Sequence, residues 1–184
     1  GGVVAIKQHR IVLFRQQDEF LRDTALHVAA ATGRGGGKSY VGAAKGLKYV
    51  SEHPGSLGII TAPSYSTLRD ATLPSVRSVW PEAMTKGFHP SSNSLTVPNG
   101  SEVLLRTTDD PGLLRGPNAA WVWMDEAPYS SHEAFQVLQG TLRQAGHPHQ
   151  MWLTGTPRGY TWFYDEFAKV KRANYSLHHW SARD

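Results

Sequence analysis

The sequence contains no cysteine among its 184 residues. This absence excludes a disulfide scaffold, a thiol nucleophile and any zinc or iron–sulfur site built on thiolates. No window approaches a run of about 18 apolar residues, and the amino-terminal end lacks the charged, apolar and small-residue pattern of a signal peptide. The sequence therefore predicts a soluble intracellular protein with no membrane partner.

Internal repeats, low-complexity tracts and a linker long enough to separate two domains are also missing. With 40% hydrophobic and 18% charged residues, the chain can bury a core, and residues 1–184 are expected to form a single domain. The net charge is only +4, distributed as +5 over residues 1–50, −4 over residues 51–139 and +3 over residues 140–184. This modest excess is compatible with nucleic acid but identifies no DNA-contacting residue.

Short apolar runs alternate with helical stretches along the chain. Strands are predicted at residues 24–31, 57–61, 119–124, 150–153 and 175–180, and helices at 38–50, 64–80, 131–143 and 162–171. Pro74 should kink or break the second helix. Pro98-Asn99-Gly100-Ser101 predicts the turn of a β-hairpin inserted near residues 94–107. The pattern predicts an α/β fold with a mainly parallel central sheet and helices on both faces.

A glycine-rich segment follows the first strand and carries the clearest chemical signal. Gly33, Gly35, Gly36 and Gly37 precede Lys38-Ser39 at the start of a helix. Backbone N–H groups in such a loop can converge on phosphate oxygens, a lysine can reach the β- and γ-phosphates, and a serine can ligate Mg²⁺. Thr32 stands where the usual pattern has its first glycine. The alternative is a flexible turn that binds nothing.

Two other strands end in polar residues. Asp125 and Glu126 follow one apolar run; the aspartate could hold a Mg²⁺ shell and the glutamate could polarise a water for attack on a phosphorus. Alone, such a pair is more often a helix N-cap. Thr154-Gly155-Thr156 follows the next run, where hydroxyls could sense a γ-phosphate, although an ordinary strand-ending turn is the simpler interpretation. In parallel sheets these ends share one edge, which predicts one common site.

A few further side chains are candidates for the same site. Gln16 and Gln17 lie about twenty residues before the lysine, where a carboxamide could read an adenine edge, although glutamines are commonly solvent-exposed. Arg34 lies inside the glycine loop. Arg115 lies in a Pro/Gly-flanked loop and could reach a neighbouring subunit's nucleotide, or it could pair with a nearby aspartate.

Together these residues resemble the ATPase domain of the large terminase subunit of tailed bacteriophages, the motor that packages viral DNA into a procapsid. The resemblance extends from Phe14 to about Asp184. It rests on Phe14-x-x-Gln17-x-x-Phe20, Thr32-Gly33-Arg34-Gly35-Gly36-Gly37-Lys38-Ser39, Leu114-Arg115-Gly116, Trp123-Met124-Asp125-Glu126-Ala127 and Leu153-Thr154-Gly155-Thr156-Pro157-Arg158-Gly159.

The resemblance implies a RecA-like P-loop fold, ATP and Mg²⁺ as cofactors, and a role for each matched residue. It implies Gln17 as the adenine reader, Lys38 and Ser39 on phosphate and Mg²⁺, Arg34 as the phosphate-loop arginine, Asp125 on the metal, Glu126 as the catalytic carboxylate, Thr154, Gly155 and Thr156 as the coupling motif, and Arg115 as an arginine finger acting in trans.

The family also implies partners and a location. These are double-stranded DNA, further copies of the chain in a ring, a portal protein and a small terminase subunit, in the cytoplasm of the infected bacterial host. Family members carry an RNase H-like nuclease domain after the motor domain. Since no residues here supply that domain's carboxylates, we expect no nuclease activity from this chain, which resembles an excised motor domain.

Two other functions remain open from sequence. Asp125-Glu126-Ala127 and the Thr-Gly-Thr segment also resemble motifs of superfamily 2 helicases, which set the nucleotide between two RecA-like domains. A P-loop domain could also act as a nucleotide-binding switch without turnover. Glu126 separates the enzymes from the switch, because nucleotide binding alone does not require a catalytic carboxylate.

Overall fold

The strands of the molecule form one sheet. The computed structural model describes residues 11–33, 37–159, 161–169 and 171–181. The eight strands in these ranges are β1 (His27–Thr32), β2 (Leu57–Ala62), β3 (Phe88–His89), β4 (Ser94–Thr96), β5 (Glu102–Thr107), β6 (Trp121–Asp125), β7 (Gln150–Gly155) and β8 (Tyr175–Trp180). Their order is β3-β4-β5-β2-β6-β7-β1-β8. The six strands from β5 to β8 in that order run parallel, and β3 and β4 are antiparallel, which confirms the predicted mainly parallel sheet.

Helices connect the strands. They are α1 (Arg15–Arg22), α2 (Lys38–Glu52), α3 (Tyr65–Thr67), α4 (Leu73–Val79), α5 (Glu82–Thr85), α6 (His132–Thr141) and α7 (Trp162–Tyr164). Leu68–Thr72 and Asp165–Lys169 form π-helical turns, and Pro111–Leu114 and Ala127–Tyr129 form 3-10 turns. Among these described helices, none combines the length and apolar character needed to cross a membrane.

The sheet is covered on both faces, as predicted. One face packs against α1, α2 and α4 in a cluster that includes Phe20, Val41 and Val76. The other packs against α6 and the segment after α7, in a cluster that includes Phe135, Leu138 and Phe167. Strands such as β1 and β6 are buried along their whole length, which explains why they read as continuous apolar runs rather than alternating ones.

Tryptophan side chains fill the space beneath α2, and their rings leave no room for a Cβ on the residues that face them. Trp121 and Trp152 stack with ring centroids 5.1 Å apart. A Cβ on Gly58 of β2 would lie 1.9 Å from the Trp121 ring, and one on Gly42 of α2 would lie 2.4 Å from the Trp123 ring. These glycines are therefore required by close packing of large rings.

The helix predicted at residues 64–80 is present but is interrupted by a π turn just before Pro74. Pro74 has no N–H, so it cannot donate to the carbonyl of Asp70 four residues earlier. The N–H of Leu73 bonds instead to the carbonyl of Leu68, five residues back, which makes a π turn. The predicted helix at 162–171 is likewise broken into α7 and a π turn.

The predicted hairpin is confirmed between β4 and β5, with Gly100 in its turn at a φ of 90°. A further two-residue strand, β3, extends the hairpin.

Helix α1 was not predicted. Of the α1 residues, only Gln17 and Phe20 are buried, so the helix lacks the apolar stripe that periodicity analysis detects.

A buried lysine fixes the carboxyl end of α1 to α2. Lys45 is 2% exposed. Its Nζ donates to the carbonyls of Phe20 at 2.8 Å, Leu21 at 3.0 Å and Asp23 at 2.7 Å. Burial lowers the pKa of Lys45 to about 7. Three carbonyl acceptors oppose that shift, because only the ammonium form has three N–H groups to donate.

Candidate functional site

The glycine segment joins β1 to α2, as the sequence predicts. Gly33 follows β1 directly, and Lys38 and Ser39 open α2. Gly37 precedes them at a φ of 70°, in the left-handed region. A Cβ there would lie 2.4 Å from Nε2 of Gln17. Both the left-handed backbone conformation and this close contact favour glycine at position 37. The candidate residues Arg34, Gly35 and Gly36 lie outside the described residues.

Asp125 ends β6 with its carboxylate completely buried among hydrogen-bond donors. The Ser39 hydroxyl donates to both carboxylate oxygens, at 3.1 Å to Oδ1 and 3.0 Å to Oδ2. Oδ1 also accepts from Thr154 Oγ1 at 2.9 Å and from the Glu126 N–H at 3.1 Å, and Oδ2 accepts from Thr72 Oγ1 at 2.6 Å. Burial raises the pKa of Asp125, and the hydroxyl donors oppose the rise.

Glu126 turns the chain sharply after the strand. It adopts a φ of 50°, an uncommon conformation for a residue with a side chain, and begins the turn Ala127–Tyr129. Its Oε1 lies 3.4 Å from Lys38 Nζ. Burial raises the pKa of Glu126, while the Lys38 charge and a hydrogen bond from the Thr156 N–H act against the rise. The acidic pair is therefore more than an N-cap, because both carboxylates contact other strand ends.

The Thr154-Gly155-Thr156 segment contacts both acidic residues. β7 pairs with β6 so that Thr154 lies beside Asp125. The Thr154 hydroxyl is buried and also accepts from Trp123 Nε1 at 2.9 Å. Gly155 permits close approach, since a Cβ on it would lie 2.2 Å from Pro128. The segment is thus integrated with the acidic pair, beyond what a simple strand-ending turn requires.

Gln17 is neither solvent-exposed nor free. It is 5% exposed. Its Oε1 accepts from the Phe14 N–H at 3.3 Å, and its Nε2 donates to the carbonyl of Gly37 at 3.3 Å. The side chain therefore attaches the start of α1 to the end of the glycine segment, while Gln16 is half-buried.

Arg115 follows the 3-10 turn Pro111–Leu114 and is exposed. The suggested pairing with Asp109 or Asp110 is not observed, and across the described ranges Arg115 has no ion-pair partner. It borders an open cleft of about 280 Å³ together with Gln136, Gly140 and Arg143. Its position is that of a surface arginine available to another molecule.

Two contacts at the site were not predicted from the sequence. Thr72 donates to Asp125 from 53 positions away in the chain, and Trp123 donates to Thr154 from 31 positions away. Both contacts depend on how strands and helices assemble, so no local pattern indicates them.

The described residues bring four candidate side chains together at the carboxyl edge of the parallel sheet: Lys38, Ser39, Asp125 and Glu126. A family model for the phage terminase large subunit matches residues 25–184. The chain belongs to this family. No curated protein matches the chain in sequence.

Solved structures agree with this assignment at the level of fold. The terminase is similar to the Thermus phage P74-26 large terminase ATPase domain, with a TM-score of 0.74 and 21% identity over 92% of this chain and 81% of that one. It is also similar to the large terminase of a thermophilic bacteriophage in complex with ADP, with a TM-score of 0.76 and 16% identity over 92% of this chain and 46% of that one. The terminase chain thus spans about half the length of that protein.

A Pyrococcus furiosus Hef helicase domain shares the fold more distantly, with a TM-score of 0.59 and 14% identity over 92% of this chain and 38% of that one. The fold is accordingly that of RecA-like P-loop ATPase domains, as the sequence predicts.

Proposed function

We propose that residues 1–184 form a single Mg²⁺-dependent ATPase domain that powers translocation of double-stranded DNA into a viral procapsid. The observation that carries the proposal is the convergence of Lys38, Ser39, Asp125 and Glu126 at one edge of the sheet. Ser39 Oγ lies 3.0 Å from Asp125 Oδ2, and Lys38 Nζ lies 3.4 Å from Glu126 Oε1. Membership of the terminase large subunit family supports it. The ADP complex of the thermophilic phage terminase supports nucleotide as the ligand.

The donor chemistry of the site fits Mg²⁺. The Ser39 hydroxyl and the Asp125 carboxylate are oxygen ligands already in contact, and the buried carboxylate has no cationic partner within the described ranges. Mg²⁺ in nucleotide sites typically takes one or two protein oxygens and keeps its waters and phosphate ligands. When bound, the ion would neutralise charge on the β- and γ-phosphates.

The chain's own residues divide the remaining work. Lys38, at the start of α2, binds phosphate together with the glycine segment and Arg34. Glu126 accepts a proton from the attacking water, while the water oxygen bonds to the γ-phosphorus and the bond to the β-phosphate oxygen breaks. Because burial raises the pKa of Glu126, its carboxylate is a stronger base than an exposed one. The Lys38 contact to Glu126 must loosen when phosphate binds.

Other residues complete and transmit the reaction. Gln17, held against Gly37, contributes to adenine recognition, and Thr154, Gly155 and Thr156 couple the nucleotide state to neighbouring elements through Asp125 and Glu126. Arg115, exposed and without an ion-pair partner in the described ranges, acts in trans on the next subunit of a ring. Portal protein and small terminase subunit are the remaining partners, in the cytoplasm of the infected host.

The proposal is tested by ATP hydrolysis with the chain assembled on DNA. Hydrolysis should require Mg²⁺ and should disappear in Lys38→Ala, since the lysine contacts the transferred phosphate. Lys48→Ala is the matched control, because Lys48 lies on the same helix and forms a partly exposed ion pair with Glu52. Equal hydrolysis by Lys38→Ala and Lys48→Ala would refute the assignment of the site.

A further inference from the structure

Thr72 is a buried hydroxyl in an otherwise apolar stripe. The inward-facing residues of the segment after β2 are Leu68, Thr72, Val76 and Val79, all 5% exposed or less. A valine would fill the same space as Thr72, so packing alone does not call for a hydroxyl. The hydroxyl is used, however, because it donates to Oδ2 of Asp125 at 2.6 Å.

Helical spacing places this hydroxyl. Thr72 lies four residues after Leu68 and four before Val76, so all three face the same side of the helical segment. Leu68–Thr72 is a π turn, in which the N–H of Leu73 bonds to the carbonyl of Leu68. Ala71 on one side of Thr72 is exposed and Leu73 on the other is half-buried, whereas Thr72 is 0% exposed.

The donors are divided unequally between the two oxygens of Asp125. Oδ1 accepts from Thr154, from the Glu126 N–H and from Ser39. Oδ2 accepts from Ser39 and Thr72 alone within the described part of the chain. If Ser39 turns its oxygen to a metal ion, as the proposed function requires, Thr72 remains as the one described donor that fixes Oδ2.

We propose that Thr72 is a positioning residue of the metal–nucleotide site, which holds the Asp125 carboxylate in the orientation that receives a divalent cation. The inference rests on the proposed function. Thr72 acts through Asp125, to which its hydroxyl donates. Partners that orient a metal's ligands typically change metal affinity by about 10- to 100-fold when removed.

Thr72→Val tests the inference, because valine keeps the shape and removes the donor. Thr61→Val is the matched control: Thr61 is also 0% exposed, and its hydroxyl has no hydrogen-bond partner within the described residues. Thr72→Ser keeps the hydroxyl and loses only a methyl group. The probe is a fluorescent ADP derivative, whose Kd is measured by anisotropy in excess Mn²⁺ and again in EDTA.

The quantity compared is the gain in affinity that Mn²⁺ confers, the ratio of the two Kd values. Thr72→Val should reduce this gain about tenfold, and where the wild-type gain is smaller than that, the variant should lose it entirely. The Kd in EDTA should be unchanged. Thr61→Val and Thr72→Ser should keep the gain within about twofold of wild type. A purely structural role would instead weaken binding equally with and without metal.

The inference is overturned if Thr72→Val keeps the wild-type gain. Should that variant fail to fold, Thr72→Ala decides instead: the inference predicts that Thr72→Ala loses the gain while Thr72→Ser keeps it, and equal gains in the two variants contradict the inference. If Mn²⁺ does not improve the affinity of the wild-type protein for the ADP derivative, the proposed function and the inference both fail. If wild type and Thr72→Val gain equally, only the inference fails.

Discussion

Replacing Lys45 with methionine should loosen α1, the helix that carries Gln17. Methionine keeps most of the aliphatic stem and has a similar helix propensity, so the change removes mainly the ammonium group. Three carbonyls at the end of α1 lose their shared donor. The carbonyls are not equally affected, because two of them have a second partner.

The structure sets the size of the effect. The Phe20 carbonyl keeps the Asp23 N–H at 3.3 Å, and the Asp23 carbonyl keeps the Gln150 amide at 2.8 Å. The Leu21 carbonyl keeps no donor among the described residues, and because Leu21 is only half-buried this loss costs about 1 kcal/mol. With a further fraction of a kcal/mol for each of the other two bonds, the expected loss is about 2 kcal/mol. For a domain of this length that corresponds to a fall in Tm of roughly 4–8 °C.

The assay is thermal unfolding followed by circular dichroism without nucleotide. Lys48→Met is the control, since Lys48 lies three residues further along α2 in a surface ion pair with Glu52 at 2.7 Å. Such a pair contributes about 0.5 kcal/mol or less. If Lys45→Met lowers Tm no more than Lys48→Met, the ammonium does not stabilise the end of α1 and the reasoning is refuted.

Three further predictions concern packing, pH and assembly. Gly42→Ala should destabilise the fold by about 1–3 kcal/mol in denaturant titrations, because its Cβ would lie 2.4 Å from the Trp123 ring. Gly140→Ala is the control: a Cβ there meets open space, so the variant should stabilise α6 by up to about 1 kcal/mol. Equal effects of the two substitutions would contradict the packing argument. Burial lowers the pKa of His27 from 6.5 to about 4. Because the unfolded chain binds this proton at a higher pH than the folded protein does, the free energy of unfolding should be highest above pH 6.5 and should fall as the pH drops toward 4, with a slope of at most one proton. A His27→Phe variant with an unchanged pH slope would disprove this. Arg115→Ala should lower the hydrolysis rate by about 10³- to 10⁵-fold alone and recover in mixed assemblies when intact neighbours supply their arginine; rates that ignore the neighbour would exclude action in trans.

Much of the fold was predictable because its strands are buried on both faces. The runs that became β2, β6 and β7 stand out as short apolar stretches, and each ends at a polar or turn residue near the edge of the sheet. The parallel arrangement then brings Asp125 and Thr154 side by side, as expected from strand ends that share an edge. Strand ends of a parallel sheet therefore locate a site even when they are far apart in the chain.

The remaining features depend on tertiary contacts that leave no periodic signal. Helix α1 buries only Gln17 and Phe20, and a lysine on another helix donates to the carbonyls at its end. Thr72 lies at helical spacing from Leu68 and Val76, but its hydrogen bond to Asp125, 53 residues away, leaves no signal in the sequence. Gln17 was anticipated as a residue of the site, but its contact with Gly37 was not.

We propose that this edge of the sheet hydrolyses ATP, with Glu126 as the carboxylate that accepts the proton. The most direct measurement is phosphate release from ATP by assembled Glu126→Gln, with ATP binding measured on the same sample. Glutamine keeps the size of the side chain and removes its basicity, so ATP should still bind while hydrolysis falls by about 10²- to 10⁴-fold. Hydrolysis at the wild-type rate would contradict the account.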